Sequence, residues 1–285
     1  MAETWFVSLI VSGPEEAGMA EEAVSADALS IIVREYDGGP KWELLLQFDY
    51  ESDRAGVVEA LAALPGFGDY ALSIEQDSGT DWVARYRRNA QPVRAGRFFV
   101  YPSHFEGDPP QDTIPIRMDA GLAFGTGDHA TTTGCLRALD RLAADGYAPR
   151  RAIDLGCGTG ILAIAMRKLW PDLPITASDI DPVAVETARE NLARNGALDG
   201  VELVTCDGWP KNDACDLCAA NILAGPLIAL APKAAAGISP GGRAILSGIL
   251  TTQADDVGSA WRKNGFSPRS RDDYGEWATL VFDRA

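Results

Sequence analysis

Histidine is scarce in this sequence: His104 and His129 are the only two. A metal centre would therefore have to rest on carboxylates or thiolates. The five cysteines offer one close pair, Cys215-x-x-Cys218. That pair sits in Asp-Leu-Cys-Ala-Ala-Asn, which reads as a strand, where residues three apart face opposite sides. No second pair at zinc spacing accompanies it, so no metal site is expected. An odd number of cysteines in apolar surroundings is the pattern of reduced, buried thiols in a cytoplasmic protein. Long apolar runs are missing as well. None reaches the roughly 18 residues needed to span a bilayer, and the start, Met-Ala-Glu-Thr-Trp, has neither the basic nor the apolar region of a secretory signal.

Positive charge is also in short supply. The chain has 25 Lys and Arg against 41 Asp and Glu, a net charge of −16. Such a protein is ill suited to displacing phosphate counterions or binding anionic lipid, so neither DNA nor a membrane is an expected partner. The deficit is local: residues 1–82 hold 17 acids and three bases (Arg34, Lys41, Arg54), a balance of −14, and the remainder is nearly neutral. With 285 residues, 46% of them apolar, the chain is long enough for about two domains at roughly 150 residues each.

The order of patterned segments divides the chain. Strands are predicted over 4–11, 28–36, 41–49 and 70–75, with helices over 14–24 and 53–64. Asp37-Gly38-Gly39-Pro40 marks a hairpin turn between the two central strands. The order β-α-β-β-α-β is the split βαβ, ferredoxin-like arrangement. Residues 1–80 are therefore read as a small α+β recognition domain, and 81–118 as a connector with a helix over Asp81–Asn89 and strands over Val93–Tyr101 and Thr113–Met118. From 119 to 285 strands and helices alternate. The signature is that of an α/β domain with a mostly parallel sheet, closed at one edge by an antiparallel hairpin over 266–270 and 277–282.

Within this second domain the chemistry-bearing residues fall at strand ends. Asp154-Leu155-Gly156-Cys157-Gly158-Thr159-Gly160 lies where a strand turns into a helix, and its glycines let backbone approach a ligand closely. The spacing is GxGxG, not the dinucleotide GxGxxG, and no Gly-Lys-Ser/Thr follows. Asp179, 23 residues after Gly156 and at the end of the next strand, is placed to accept two ribose hydroxyls. Asp207 follows the strand after that and can accept from the adenine amino group. Asn221, in Asn-Ile-Leu-Ala-Gly-Pro, ends the strand after Asp207 and can hold an amine by its N–H. Thr131 or Thr132 can cap the helix over 131–144 and reach the amino-acid end of a cofactor. Together these resemble the seven-stranded, Rossmann-like S-adenosylmethionine-dependent methyltransferases.

One further set narrows the resemblance. Phe124-Gly125-Thr126-Gly127-Asp128-His129-Ala130-Thr131-Thr132, the glycine turn, Asp179-Ile180-Asp181-Pro182, Asn221-Ile222-Leu223-Ala224-Gly225-Pro226 and Leu246-Ser247-Gly248-Ile249-Leu250 occur in this order. The set resembles the bacterial ribosomal protein L-eleven methyltransferase family over nearly the whole chain. That resemblance implies transfer of methyl groups from S-adenosyl-L-methionine to lysine side chains, and in some members the N-terminal amine, of a large-subunit ribosomal protein. It implies cofactor contacts at Thr132, Gly156, Asp179 and Asn221, with Phe124, Gly127, Gly158 and Asp207 as further carry-overs and Asn221 as the amine-positioning, catalytic residue. A basic substrate docked by the acidic first domain, a monomeric enzyme and a cytoplasmic location complete the expectation.

Rival readings remain at this level. A related enzyme acting on another protein, such as an electron-transfer flavoprotein, would share the motifs, and so would an inactive methyltransferase-like binding module. Asp108-Pro109-Pro110-Gln111 imitates the Asp-Pro-Pro-Tyr box of DNA amino-methyltransferases but lacks the aromatic that would stack a flipped base. Deprotonating a lysine, about three units above neutral pH, costs roughly 4 kcal/mol. Solvent is the expected proton acceptor, and His129 the alternative.

Overall fold

The computed structural model describes residues 4–24, 28–35, 41–49, 54–64, 71–76, 91–118, 129–210 and 214–285. The chain forms two compact units, Met1–Arg85 and Tyr86–Ala285. The helix expected over Asp81–Asn89 and the loop that carries Phe124 and Gly127 lie outside the described residues.

In the first unit β1 (Thr4–Val11), α1 (Pro14–Val24), β2 (Ala28–Glu35), β3 (Trp42–Asp49), α2 (Arg54–Ala62) and β4 (Ala71–Gln76) follow in sequence. The sheet order is β2-β3-β1-β4, all neighbours antiparallel, which is the ferredoxin-like arrangement. Period-two alternation dictates which face is buried. Trp5, Val7, Leu9 and Val11 of β1 and Leu44, Leu46 and Phe48 of β3 are all buried. Their register aligns Val7 with Leu46 and Leu9 with Leu44, and Trp5 stacks on Phe48 with ring centroids 4.4 Å apart. Ala17, Ala20 and Val24 of α1 and Val57 and Leu61 of α2 supply further buried apolar side chains. On the other sheet face Ser8 donates to Glu43 Oε1 at 3.2 Å.

The second unit begins with a small sheet in the order β5 (Val93–Ala95), β6 (Phe98–Tyr101), β7 (Ile114–Arg117). The stretch Val93–Tyr101, read from sequence as one strand, is a hairpin. Gly96 breaks it with φ +61, and a Cβ there would run into the Asp140 carboxylate, which accepts from the Arg97 backbone N–H at 3.0 Å. Phe98, Val100 and Ile116 point inward and share a core with the helices that cover the main sheet.

The main sheet follows. Its strands are β8 (Ala152–Leu155), β9 (Ile175–Asp179), β10 (Val201–Thr205), β11 (Cys215–Asn221), β12 (Ile238–Leu250), β13 (Phe266–Tyr274) and β14 (Trp277–Arg284). Their order is β10-β9-β8-β11-β12-β14-β13. The first five run parallel, and β14 is antiparallel to both its neighbours. This is the mostly parallel sheet with an antiparallel edge hairpin that the alternation predicts, and the seven-stranded Rossmann-like form that the resemblance implies. β12 starts at Ile238, ahead of its apolar half, and the register against β11 jumps from Ile238 to Arg243 across Pro240-Gly241-Gly242, a bulge that hides its first half from a period-two count.

Helices α3 (Ala130–Ala144), α4 (Ile161–Leu169) and α5 (Pro182–Arg194) contribute to the core on one face of the sheet, and α6 (Ala224–Gly237) and α7 (Ala254–Lys263) to that on the other. The helix starts are locally encoded. Asp181 caps α5, accepting from Val183 N at 2.8 Å, with Pro182 as the first helical residue. Trp261 Nε1 donates to Leu227 O at 3.0 Å and ties α7 to α6. Among the described residues no helix is long and apolar enough to cross a membrane.

All five cysteines are free. Cys215 and Cys218 do not face opposite sides of the sheet, contrary to the strand rule. The irregularity between Cys215 and Leu217 turns both into the core against α6 and α7, and burial pushes the Cys218 thiol well above its usual range.

Candidate cofactor and amine site

The parallel order places β9 on one side of β8 and β11 on the other, so the chain reverses its direction of winding at β8. In such sheets ligands bind beyond the carboxyl ends of the strands at that point. A cavity of about 590 Å³ opens there. Gly156 and Gly158 line it from the turn after β8, Asp179 from the end of β9, Asp207 from after β10 and Asn221 from the end of β11.

The turn is glycine because its backbone is left-handed. Gly156, Gly158 and Gly160 have φ +68, +50 and +78, a region that costs other residues roughly 1–2 kcal/mol. Space is limiting too: a Cβ at Gly156 would collide with Ile222 Cγ2, and one at Gly160 would lie 3.0 Å from Ala188 Cβ. The Gly158 N–H donates to Asp179 Oδ2 at 2.9 Å, and Asp181 N–H to Asp179 Oδ1 at 3.0 Å. The carboxylate is thereby aimed, with lone pairs left on both oxygens.

Asn221 is held from three directions. Its Nδ2 donates to Thr132 Oγ1 at 3.4 Å. The next backbone N–H, of Ile222, donates to Ser247 O at 3.1 Å. The Ile222 side chain fills the space that Gly156 leaves open, and its backbone lies against Gly248 (φ +83), where a Cβ would sit 2.5 Å from Ile222 O. The Asn221 Oδ1 is buried with no partner among the described residues. A buried acceptor left unpaired costs on the order of 1–3 kcal/mol, which a ligand N–H would recover.

Thr132 is fully buried inside α3 and does not cap it. The cap is His129, whose Nδ1 accepts from the Thr131 N–H at 3.4 Å and lies 2.8 Å from Thr131 Oγ1. The helix starts one residue earlier than its apolar pattern suggests, because an imidazole can do the work of Asn or Ser at this position. A neutral ring that accepts at Nδ1 carries its hydrogen on Nε2.

Sequence reasoning passed over two residues here. Asp154, under the glycine turn, is almost fully buried. Its Oδ2 accepts from Ala163 N at 2.9 Å, and its Oδ1 has no partner among the described residues. Burial pushes its carboxyl up to about 7, offset in part by the Ala163 N–H and reinforced by the nearby Asp179. Ile222 is the other, legible only once Gly156 and Gly248 are seen to flank it.

Comparison with known proteins follows the same lines. The family model described as ribosomal protein L11 methyltransferase (PrmA) matches residues 21–285. A ribosomal protein L11 methyltransferase of Chelativorans sp. (strain BNC1) is 39% identical over 272 residues, spanning 93% of this chain and 92% of that protein. One of Rhizobium rhizogenes is 42% identical over 252 residues, 85% of each chain. Among solved structures, the ribosomal protein L11 methylase of Lactobacillus delbrueckii subsp. bulgaricus superposes with a TM-score of 0.63 at 31% identity, covering 68% of this chain and 99% of that one.

Proposed function

The chain belongs to the ribosomal protein L11 methyltransferase family, and from that membership we propose that it transfers methyl groups from S-adenosylmethionine to amino groups of ribosomal protein L11, with Asn221 holding the amine. The observation that carries the reading is the buried Asn221 Oδ1, an acceptor without a donor among the described residues, on a residue of the cavity wall that also holds Gly156 and Asp179.

The residues present fit the methyl donor. Gly156 and Gly158 present left-handed backbone without side chains to the cavity, Asp179 offers free lone pairs for a ribose, and Asp207 lines the cavity as a further acceptor. Bound S-adenosylmethionine supplies a methyl group on a sulfonium. Thr132 fixes the Asn221 amide so that Oδ1 accepts an amine N–H, which aims the lone pair of the neutral amine. Gly156, Asp179 and Asp207 would hold the donor, which would supply an electrophilic methyl with a neutral thioether as its leaving group, so these residues would need to provide no acid. Alignment is the chain's main contribution, and alignment alone is worth several orders of magnitude in rate.

His129 has spent Nδ1 on the helix cap, so the amine proton goes to solvent. The acidic first unit, with its balance of −14 over residues 1–82, steers a basic protein substrate toward the enzyme. The target amines are lysine side chains and the N-terminal amine.

Incubation with isotopically labelled S-adenosylmethionine and undermethylated L11, followed by mass mapping, tests the reading. Label on L11 amines is expected. Absence of label on L11 from an enzyme that still binds the donor would remove the substrate assignment and leave the cofactor assignment standing.

A further inference from the structure

One charged side chain on the cavity wall has no place in the reading above. Helix α6 lays Pro226, Ala229, Leu230 and Lys233 along the cavity, the i, i+3, i+4, i+7 stripe of one helical face. Lys233 therefore reaches the end of the cavity that Asp207 and Gly208 close. A Cβ placed on Gly208 would lie 3.6 Å from Lys233 Nζ, and Gly208 itself is left-handed, with φ +77. Lys233 and Asp207 line the same end with opposite charges, yet among the described residues neither forms an ion pair or hydrogen bond. Both side chains are exposed on the same cavity, one a pure acceptor and the other a pure donor.

The Watson–Crick edge of adenine presents that pair of groups in complement: an N6 amino donor beside an N1 acceptor. Hypoxanthine inverts both, with an O6 acceptor beside an N1–H donor. We propose that Lys233 is a specificity-determining residue of the methyl-donor site, which donates to adenine N1 while Asp207 accepts from N6, so that the two together read the base. The inference rests on S-adenosylmethionine as the donor and goes beyond it by assigning the base-reading cation. An uncharged backbone donor would recognise N1 equally well in isolation. The lysine adds an electrostatic preference for an acceptor there and a penalty for the N1–H of the deaminated base, because that hydrogen would point at a cation.

The test is direct binding by calorimetry of S-adenosylhomocysteine and its deaminated form, S-inosylhomocysteine, to the full chain. Lys233 is exposed, so Lys233→Met should fold. For S-adenosylhomocysteine, Lys233→Met is expected to raise Kd about tenfold, equivalent to ~1.4 kcal/mol, and Lys233→Arg to restore most of it. For S-inosylhomocysteine the wild type is expected to bind more weakly, and Lys233→Met to leave that Kd unchanged or lower it. The adenine preference therefore shrinks in the Met variant. An unchanged Kd for S-adenosylhomocysteine, or an equal loss for both nucleosides, overturns the assignment of Lys233 while the donor reading survives. Failure of the wild type to bind S-adenosylhomocysteine at all overturns both.

Discussion

The Asn221 amide donates to Thr132 Oγ1 at 3.4 Å through Nδ2 while its Oδ1 has no partner among the described residues. A side chain on β11 and one on α3 together decide which end of that amide meets the ligand. The arrangement separates orientation of the amine from retention of the cofactor, since Asp179, at the end of another strand, is the residue aimed at the ribose.

That separation is measurable. Asp179→Ala should weaken donor binding by about tenfold or more, as expected for losing hydrogen bonds to a charged acceptor. Asn221→Gln, which keeps the amide but moves it by one methylene, should lower kcat about a hundredfold on bound donor with a smaller change in donor Kd. Comparable losses of donor affinity in both variants would remove Asn221 as the amine-positioning group.

Ile222 is keyed between two glycines by different atoms, and the difference predicts a pattern of rescue. A Cβ at Gly156 meets the Ile222 side chain, whereas one at Gly248 meets its backbone. Gly156→Ala should cost activity that Ile222→Ala partly restores, the residue at 156 still bearing about 1 kcal/mol of left-handed strain. Gly248→Ala should gain nothing from the same second change. Double-mutant cycles on kcat, read alongside thermal melts, check this; rescue of both, or of neither, contradicts the packing described.

Asp154 makes stability depend on pH. Its carboxyl is raised in the folded protein to about 7 from 3.8, so the folded state holds its proton more tightly than the unfolded chain. The stabilisation from this group is complete below about pH 4 and is lost as the pH rises through about 7. Asp154→Asn, which cannot ionise, should gain stability relative to wild type between pH 5 and pH 8, by about 1–3 kcal/mol in urea titrations. Parallel stability curves across that range would mean that Asp154 keeps an ordinary carboxyl.

His129 should behave as a cap and not as a base. His129→Asn, a good cap, should leave both stability and the pH–rate profile near wild type, while His129→Ala should cost about 1 kcal/mol of stability. A displaced pH–rate profile in the Asn variant would restore the imidazole as proton acceptor.

Ionic strength probes the charge of the first unit. Raising salt from about 50 to about 500 mM shortens the screening length from roughly 14 to 4 Å, so KM for L11 should rise several-fold with kcat steady. A KM indifferent to salt would end the steering role of residues 1–82.

What the sequence makes legible, and what it hides, follows from how local each constraint is. The glycine turn, Asp179 and Asn221 can be read because each answers a demand of its own backbone segment: a positive φ, a strand end, a turn into a helix. Elements fail where a glycine interrupts a pattern without ending it, as Gly96 does within Val93–Tyr101 and Gly241-Gly242 within β12. The cap of α3 is misread because His129 stands where Ser or Asn is looked for. Lys233, Ile222 and Asp154 gain meaning from neighbours far away in the chain: Lys233 from Asp207, Ile222 from Gly156 and Gly248, Asp154 from the burial of an oxygen that has no partner among the described residues. No periodicity carries that information.

The position of β14 has a consequence for the fate of incomplete or damaged chains. It lies between β12 and β13, so β13 touches the sheet only through a strand that comes after it. A chain interrupted before Trp277 would display β12, thirteen residues long and apolar in its second half, as a bare edge open to pairing with any strand nearby. Such fragments should aggregate or be degraded, and the hairpin that closes the sheet acts as a checkpoint against their accumulation.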